Sequence, residues 1–253
     1  MIKNILSGLK AYTGTLQLIS KLKLWKYFGV PISISFLVAS AVVFAAFTLA
    51  DNIASVISNL WIWEWGSVTF LSISTFLSGL IILILGFVIY KHTVLALSAA
   101  FMSSVSEKIE AHLLGAIKNR QSKSAFAEQL WRGIRLNMRN LMLELLWTLP
   151  ILVLGLIPVI GIFSAVLLFL VQAYYAGFGN MDYTLERHLN YDDSIKFVKQ
   201  HRGAAIGNGS IFMLFLLIPV IGILIVLPLS VTAASTQTIR LLKQNNQLKR
   251  NDF

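Results

Sequence analysis

Leu156 to Ile162 reads LIPVIGI, and Leu217 to Ile223, sixty-one residues further on, reads LIPVIGI again. Proline removes a backbone donor and breaks a helix, and the glycine three residues on lets the chain reverse. Each copy sits near the middle of an apolar block, the first over 141–179 and the second over 204–239. Pro158 and Gly161 are in register with Pro219 and Gly222, which marks an internal repeat. Repeated apolar segments interrupted by Pro and Gly point to a shared transport site; two similar turns in a plain helical bundle are the other reading.

The flanks decide whether each block crosses or returns. Residues 1–29 carry Lys3, Lys10, Lys21, Lys23 and Lys26 and no acid. Residues 91–140 carry eight basic residues against three acidic ones, 180–205 carry four of each, and the tail from Arg240 carries four bases against Asp252. Only 51–67, with Asp51 and Glu64, has no base. Cytoplasmic segments are enriched in Lys and Arg, so 51–67 is expected outside and the other four stretches inside. Trp61, Trp63 and Trp65 then fit an aromatic belt at the outer interface, or else a packed surface loop. Both blocks with LIPVIGI start and end on the cytoplasmic side, so each must enter and leave by the same face.

Lengths sharpen this. The arm 204–218 would extend about 22 Å at about 1.5 Å per residue, against a hydrocarbon core of about 30 Å. It is too short to cross upright, whereas the arms of the first block just reach. Val30 to Ala50 and Gly66 to Tyr90 contain no charge and are long enough to span. The chain is 57% hydrophobic and 13% charged, which separates it from soluble domains with about 25% charge. The first apolar block follows a basic segment and lacks a small-residue cleavage site, so it reads as a retained span. The expected fold is an all-α integral membrane protein forming a single membrane domain over 1–253. It has two long spanning helices (30–50 and 67–90, the second running on into the cytoplasm), two re-entrant helical hairpins (141–179 and 204–239) and amphipathic interfacial helices, the N-terminal one over 1–29.

Ile2, Ile5, Leu6, Leu9, Thr13 and Leu16 recur at helical spacing opposite Lys3, Lys10 and Gln17, the pattern of a helix lying on a membrane surface. Arg132, Arg135 and Arg139 form a basic row that can bind lipid headgroups, line a vestibule or be solvated. Glu144 is the one acid inside an apolar block, with Arg135, Arg139 or another base as its expected partner. Glu107 and Glu110 share a helix face, with Lys108 beside them, and can pair with Arg187 or Arg202 at a pore mouth or in a structural network. Asp182 and Tyr183 read as cap and packing for the turn after the first hairpin. The chain has no cysteine, which excludes disulfides and thiol chemistry. His92, His112, His188 and His201 lack metal-ligand spacing, no nucleotide or hydrolase motif occurs, and no cofactor is expected. The positive stripes have no nucleic-acid fold around them.

At this point a resemblance is visible. Tyr174 to His188 reads YYAGFGNMDYTLERH, Gly207 to Gly222 reads GNGSIFMLFLLIPVIG, Pro228 precedes the small-residue stretch Val231 to Thr236, and Glu107-Lys108-Ile109-Glu110 follows the second span. Gly8 and Pro31 fall where a Gly near the start and a Pro entering the first span are expected. In order and spacing the chain resembles the CysZ-type sulfate permease family, within the broader etoposide-induced-protein superfamily. The resemblance implies two spanning helices, two re-entrant hairpins, and assembly as a homodimer or larger homo-oligomer. It also implies an anion-binding segment at Lys23, Leu24, Trp25 and Lys26. There the family carries Gly, an apolar residue and two arginines, and Arg offers oxyanions a planar fork that Lys lacks. Ala100 likewise stands where the family has Pro. The expected function is a permease for sulfate or a related inorganic oxyanion in the bacterial inner membrane, in contact with lipid, with Lys23, Trp25 and Lys26 as substrate-binding residues. Helix N-termini at the hairpin tips, near Gly161 and Gly222, would help to stabilise the anion. A non-transporting scaffold or regulator of the same superfamily is the alternative; a membrane enzyme fares worst, for want of a nucleophile and base.

Overall fold

In a computed structural model, which describes residues 2–58, 67–115, 126–155, 157, 160–218 and 221–245, every regular element is helical. Pro158, Pro219, Glu64 and the tryptophans at 61, 63 and 65 lie outside the described residues.

The N-terminal segment is not one helix. It forms α1 (Ile2–Lys10), α2 (Thr15–Lys21) and a 3-10 turn (Leu24–Tyr27). Gly14 causes the first break: its φ of 82° lies in the left-handed region that glycine enters without steric cost. The heptad-like apolar spacing continues through this break, which is why periodicity alone joined the two pieces.

Two long helices follow, α3 (Gly29–Ser58) and α4 (Ser67–Leu97), packed against each other. At 30 and 31 residues, each is about 45 Å long, more than the bilayer core. Phe36, Phe44 and Phe47 project from α3 with two thirds or more of their surface exposed, as suits a lipid-facing helix. Next come α5 (Ala99–Leu114), α6 (Phe126–Gly155), α7 (Ile160–Leu185), α8 (Tyr191–Gln200), α9 (Arg202–Leu216) and α10 (Ile221–Gln244). Among the described residues, five helices are long and apolar enough to cross a membrane, within Gly29–Leu49, Ser72–Leu97, Phe126–Gly155, Ile160–Leu185 and Ile225–Gln244.

The two copies of LIPVIGI fall at the α6–α7 and α9–α10 junctions. In each case the helices on either side pack together. Gly161 N–H donates to the Ile157 carbonyl at 2.9 Å, and Ile218 N–H to that of Phe215 at 2.9 Å. Helix ends differ from the block ends read off the sequence. α6 begins fifteen residues before 141, and α7 continues past 179 to Leu185. Charge placement marks where apolar sequence ends, and the helices continue past it, α7 into buried packing at Asn180–Leu185.

The most extensive contact is between α7 and α9, and glycine makes it possible. A Cβ on Gly177 would stand 1.9 Å from the Ala205 carbonyl oxygen, and one on Gly209 would stand 1.7 Å from that of Ala173. On the opposite side of α9, a Cβ on Gly207 would stand 2.3 Å from the Ile5 carbonyl of α1. Residues two apart on a helix face nearly opposite ways, so Gly207 and Gly209 let α1 and α7 grip α9 from both sides. Small residues that bring backbones together are the usual glue between membrane helices. Asn208, between the two glycines, is fully buried. It accepts from Asn180 Nδ2 at 3.0 Å and donates to the Ser230 carbonyl of α10 at 3.1 Å. Tyr12, just beyond α1, donates to the Asn208 carbonyl at 2.8 Å, and burial raises its phenol pKa.

Candidate functional site

The 3-10 turn displays the first predicted site. Leu24 and Phe28 are fully buried and anchor it, while Lys23, Trp25 and Lys26 face outward. Lys23 has φ 52°, the one positive φ at a non-glycine among the described residues. That backbone is rare for a lysine and marks a turn held by its surroundings. The Trp25 indole N–H reaches Ser20 Oγ at 3.4 Å. Lys26 Nζ lies 5.2 Å from the centre of the Tyr27 ring, and Lys108 Nζ, from α5, lies 5.4 Å from the same ring. The fold therefore joins Lys108 to the Lys23–Lys26 turn, where the sequence reading had grouped it with Glu107 and Glu110.

Glu110 and Arg187 do meet. Glu110 Oε2 accepts from Arg187 Nε at 2.8 Å, and Oε1 pairs with His188 Nε2 at 2.8 Å. The same guanidinium donates to Ser106 Oγ at 2.8 Å and to the Tyr183 carbonyl at 2.8 Å. Burial alone would raise the Glu110 carboxyl, but His188 and Arg187 outweigh it and hold its pKa below the ordinary carboxylate value. Glu107 is half-buried on the same helix. Arg202 opens α9, is exposed, and forms no ion pair with this group among the described residues.

Glu186 behaves in the opposite way. It accepts from Ser103 Oγ, yet burial and the nearby Asp182 charge push its carboxyl up to about 7. A carboxyl raised on folding stabilises least when ionised, so its effect turns unfavourable as pH rises from about 4.5 to about 7. Glu186→Gln is expected to melt higher than the parent chain at pH 8 and at the same temperature near pH 4.5. A thermal-melt series across that range checks this, and a difference independent of pH contradicts it.

The arginine row does not act as one surface. Arg132 clamps Asp182 with two bonds, Nε to Oδ2 at 3.2 Å and Nη2 to Oδ1 at 2.9 Å. It also donates to Ser194 Oγ at 2.7 Å and to the Leu189 carbonyl at 3.0 Å, tying α6 to α7 and α8. Arg135 stacks over Tyr191 at 4.3 Å, and Arg139 lies over Phe178 at 5.8 Å. Asp182 and Tyr183 lie inside α7 and not in a turn after it; the Tyr183 hydroxyl donates to the Leu95 carbonyl at 2.6 Å.

Between α4, α6 and α7 lies a group the sequence reading did not assemble. Lys91, counted there among the cytoplasmic bases, is fully buried. Its ammonium donates to Glu144 Oε1 at 2.5 Å and to the Gln172 carbonyl at 3.1 Å. His92 Nε2 meets Glu144 Oε2 at 2.9 Å, and its Nδ1 points at Asn137 Oδ1, 3.4 Å away. The partner of Glu144 is thus neither Arg135 nor Arg139. One signal was available: Lys91 and His92 directly follow an uncharged block, and Glu144 is the one acid within an apolar one. Among the described residues no three His, Asp or Glu side chains converge as metal ligands.

Residues 12–226 match the family profile described as sulfate transporter CysZ/etoposide-induced protein 2.4. Three curated relatives carry the name sulfate transporter CysZ. The one from Vibrio parahaemolyticus is 29% identical over 189 residues, 72% of this chain and 76% of the relative. That from Pseudomonas fluorescens is 28% identical over 155 residues (60% and 62%), and that from Pseudomonas syringae pv. tomato is 29% identical over 162 (62% and 64%). The matched part covers a little under two thirds of both Pseudomonas relatives. Five apolar helices of spanning length agree with a multi-pass membrane protein. The profile match over most of the chain settles the kinship: this protein belongs to the sulfate transporter CysZ/etoposide-induced protein 2.4 family.

Proposed function

We propose that the chain is a permease for sulfate or a related inorganic oxyanion, working as a homodimer or larger homo-oligomer in the bacterial inner membrane. The observation that carries this reading is the buried Lys91–His92–Glu144 group. Ionisable side chains inside membrane helices are costly and mark ion or substrate paths. A scaffold with a sealed apolar interior would bear that cost for packing alone.

In this reading α3 and α4 span the bilayer, and the two hairpins enter and return by the basic face. Two features support it. The arm α9 has fifteen residues, about 22 Å. On α6 and α7, exposed apolar residues (Val153, Ile162, Phe163, Val166) crowd the tip, while most of the buried polar ones (Asn137, Asn140, Asn180, Asp182) lie toward the base, beside exposed Trp131, Met138 and Met142. That division suits a hairpin with its tip in lipid and its base among protein. The N-termini of α7 and α10 then lie at the two tips with the positive ends of their dipoles toward the membrane, although the Gly161 N–H itself is taken up by the Ile157 carbonyl. A Cβ at Gly161 would stand 2.8 Å from the Gly155 carbonyl, so substitution there tests hairpin packing as well as the path. Lys23 and Lys26, with Lys108 and Trp25, form the anion station at the basic mouth. Glu107, Glu110, Arg187 and Arg202 border the same face.

Radiolabelled sulfate flux into proteoliposomes tests the proposal. The parent chain should show saturable flux. Lys23→Ala with Lys26→Ala should raise the half-saturation concentration by roughly five- to thirty-fold, from two exposed charge contacts of about 0.5–1 kcal/mol each. Flux no greater than in empty liposomes would rule the permease out and favour the scaffold.

A further inference from the structure

Glu144 holds its two carboxylate oxygens on two separate donors, Oε1 on the Lys91 ammonium and Oε2 on the His92 imidazole. Two oxygens of a tetrahedral oxyanion bridge a donor pair in the same way. Polar groups without partners flank this contact. Asn140 and Thr148 lie one turn to either side of Glu144 on the same face of α6. Both are fully buried, and Asn140 Nδ2 and Thr148 Oγ1 have no hydrogen-bond partner among the described residues. A buried donor left unpaired is costly, so two beside one charge cluster need a reason. Lys91 adds three N–H donors of its own, which here reach two acceptors, Glu144 and the Gln172 carbonyl. With the carboxylate moved aside, an ammonium and an imidazole would face the space it leaves, with net positive charge, and the Asn140 amide N–H and the Thr148 hydroxyl stand about 6 Å along the helix to either side of it.

We propose that Lys91 and His92, flanked by the unpartnered Asn140 and Thr148, form an interior site for a tetrahedral inorganic oxyanion, and that Glu144 is a tethered anion that occupies it when substrate is absent. Substrate enters by displacing the carboxylate, which leaves by rotation of its side chain. The exchange replaces one anion with another, so the buried cation is never left bare. This deepens the permease reading and rests on it for the identity of the anion.

The test uses the full chain at one fixed pH. Glu144→Gln keeps the side-chain size and removes the tethered charge. Sodium sulfate, compared with sodium chloride at equal ionic strength, should then raise the melting temperature of Glu144→Gln more than that of the parent. In Lys91→Met with Glu144→Gln, which has neither charge, this extra shift should vanish. Sulfate also stabilises proteins non-specifically, and that contribution is common to both variants and cancels. In flux, Glu144→Gln should lower the half-saturation concentration about fivefold, equivalent to about 1 kcal/mol, and Lys91→Met alone should abolish transport. If Glu144→Gln fails to fold, Glu144→Asp, with a shorter reach, must show the sulfate-specific shift above the parent's, or the proposal falls. Equal sulfate shifts in Glu144→Gln and the double variant overturn the site, whether or not the parent carries sulfate. A sulfate-specific shift in Glu144→Gln with no flux in the parent upholds the site and overturns the permease.

Discussion

Gly209→Val is expected to eliminate the folded protein. The first added carbon would stand 1.7 Å from the Ala173 carbonyl oxygen and 2.8 Å from the Gly177 nitrogen, both backbone atoms of α7. A flexible side chain could yield, but a helix backbone must translate as a body. α9 cannot retreat, because Gly207 on its other side already brings it against α1. Overpacking a core costs roughly 1–3 kcal/mol even where side chains can shift, and here no side chain is available to shift. Size-exclusion chromatography of detergent extracts should show the monodisperse peak lost for Gly209→Val. Gly79→Ala, where a Cβ meets nothing within 4 Å, should leave that peak unchanged. A normal peak for Gly209→Val would mean that the α7–α9 contact is wrong.

The second large effect is expected at Arg132. Its guanidinium holds the buried Asp182 with two bonds and reaches Ser194 and the Leu189 carbonyl as well, so one side chain joins α6, α7 and α8. Arg132→Met leaves the Asp182 carboxylate uncompensated, and breaking a buried pair in this way costs about 3–5 kcal/mol. Replacing both partners, as Arg132→Met with Asp182→Leu, removes the orphaned charge and should recover most of the loss. Thermal melts of the three proteins check this. If the double variant melts no higher than Arg132→Met, the ion pair is not what the site contributes.

Much of this architecture is legible in the chain, and the reasons are physical. Uncharged blocks long enough to span became α3 and α4, because lipid exposure demands an apolar surface over the whole length. The repeated segments fell at helix junctions, but Gly161 and Gly222, read as the reversal points, lie in the first turns of α7 and α10. Glu110 and Arg187 could be paired because both lie in charged stretches at the ends of apolar ones. The Lys91–Glu144 pair could not. Hydropathy records what a residue prefers to face, and a buried lysine reads like a solvated one until its partner, fifty-three residues away, is brought beside it. Gly207 and Gly209 pose the same difficulty: their spacing shows two faces of one helix, but only the packed structure shows which neighbour occupies each. The break at Gly14 was hidden because apolar periodicity runs through it.

The membrane architecture proposed for the permease depends on where the two hairpins return. The chain has no cysteine, so single cysteines can be introduced without a background. Cysteines at Lys10, Asn52, Ala127, Asp193 and Asn245 would be labelled from one side of sealed vesicles with an impermeant maleimide. The account predicts that positions 10, 127, 193 and 245 react from one side and position 52 from the other. Reaction of 193 from the side opposite 10 and 127 would mean that α6 and α7 do not return as a pair to the face they left, and the re-entrant architecture would be wrong.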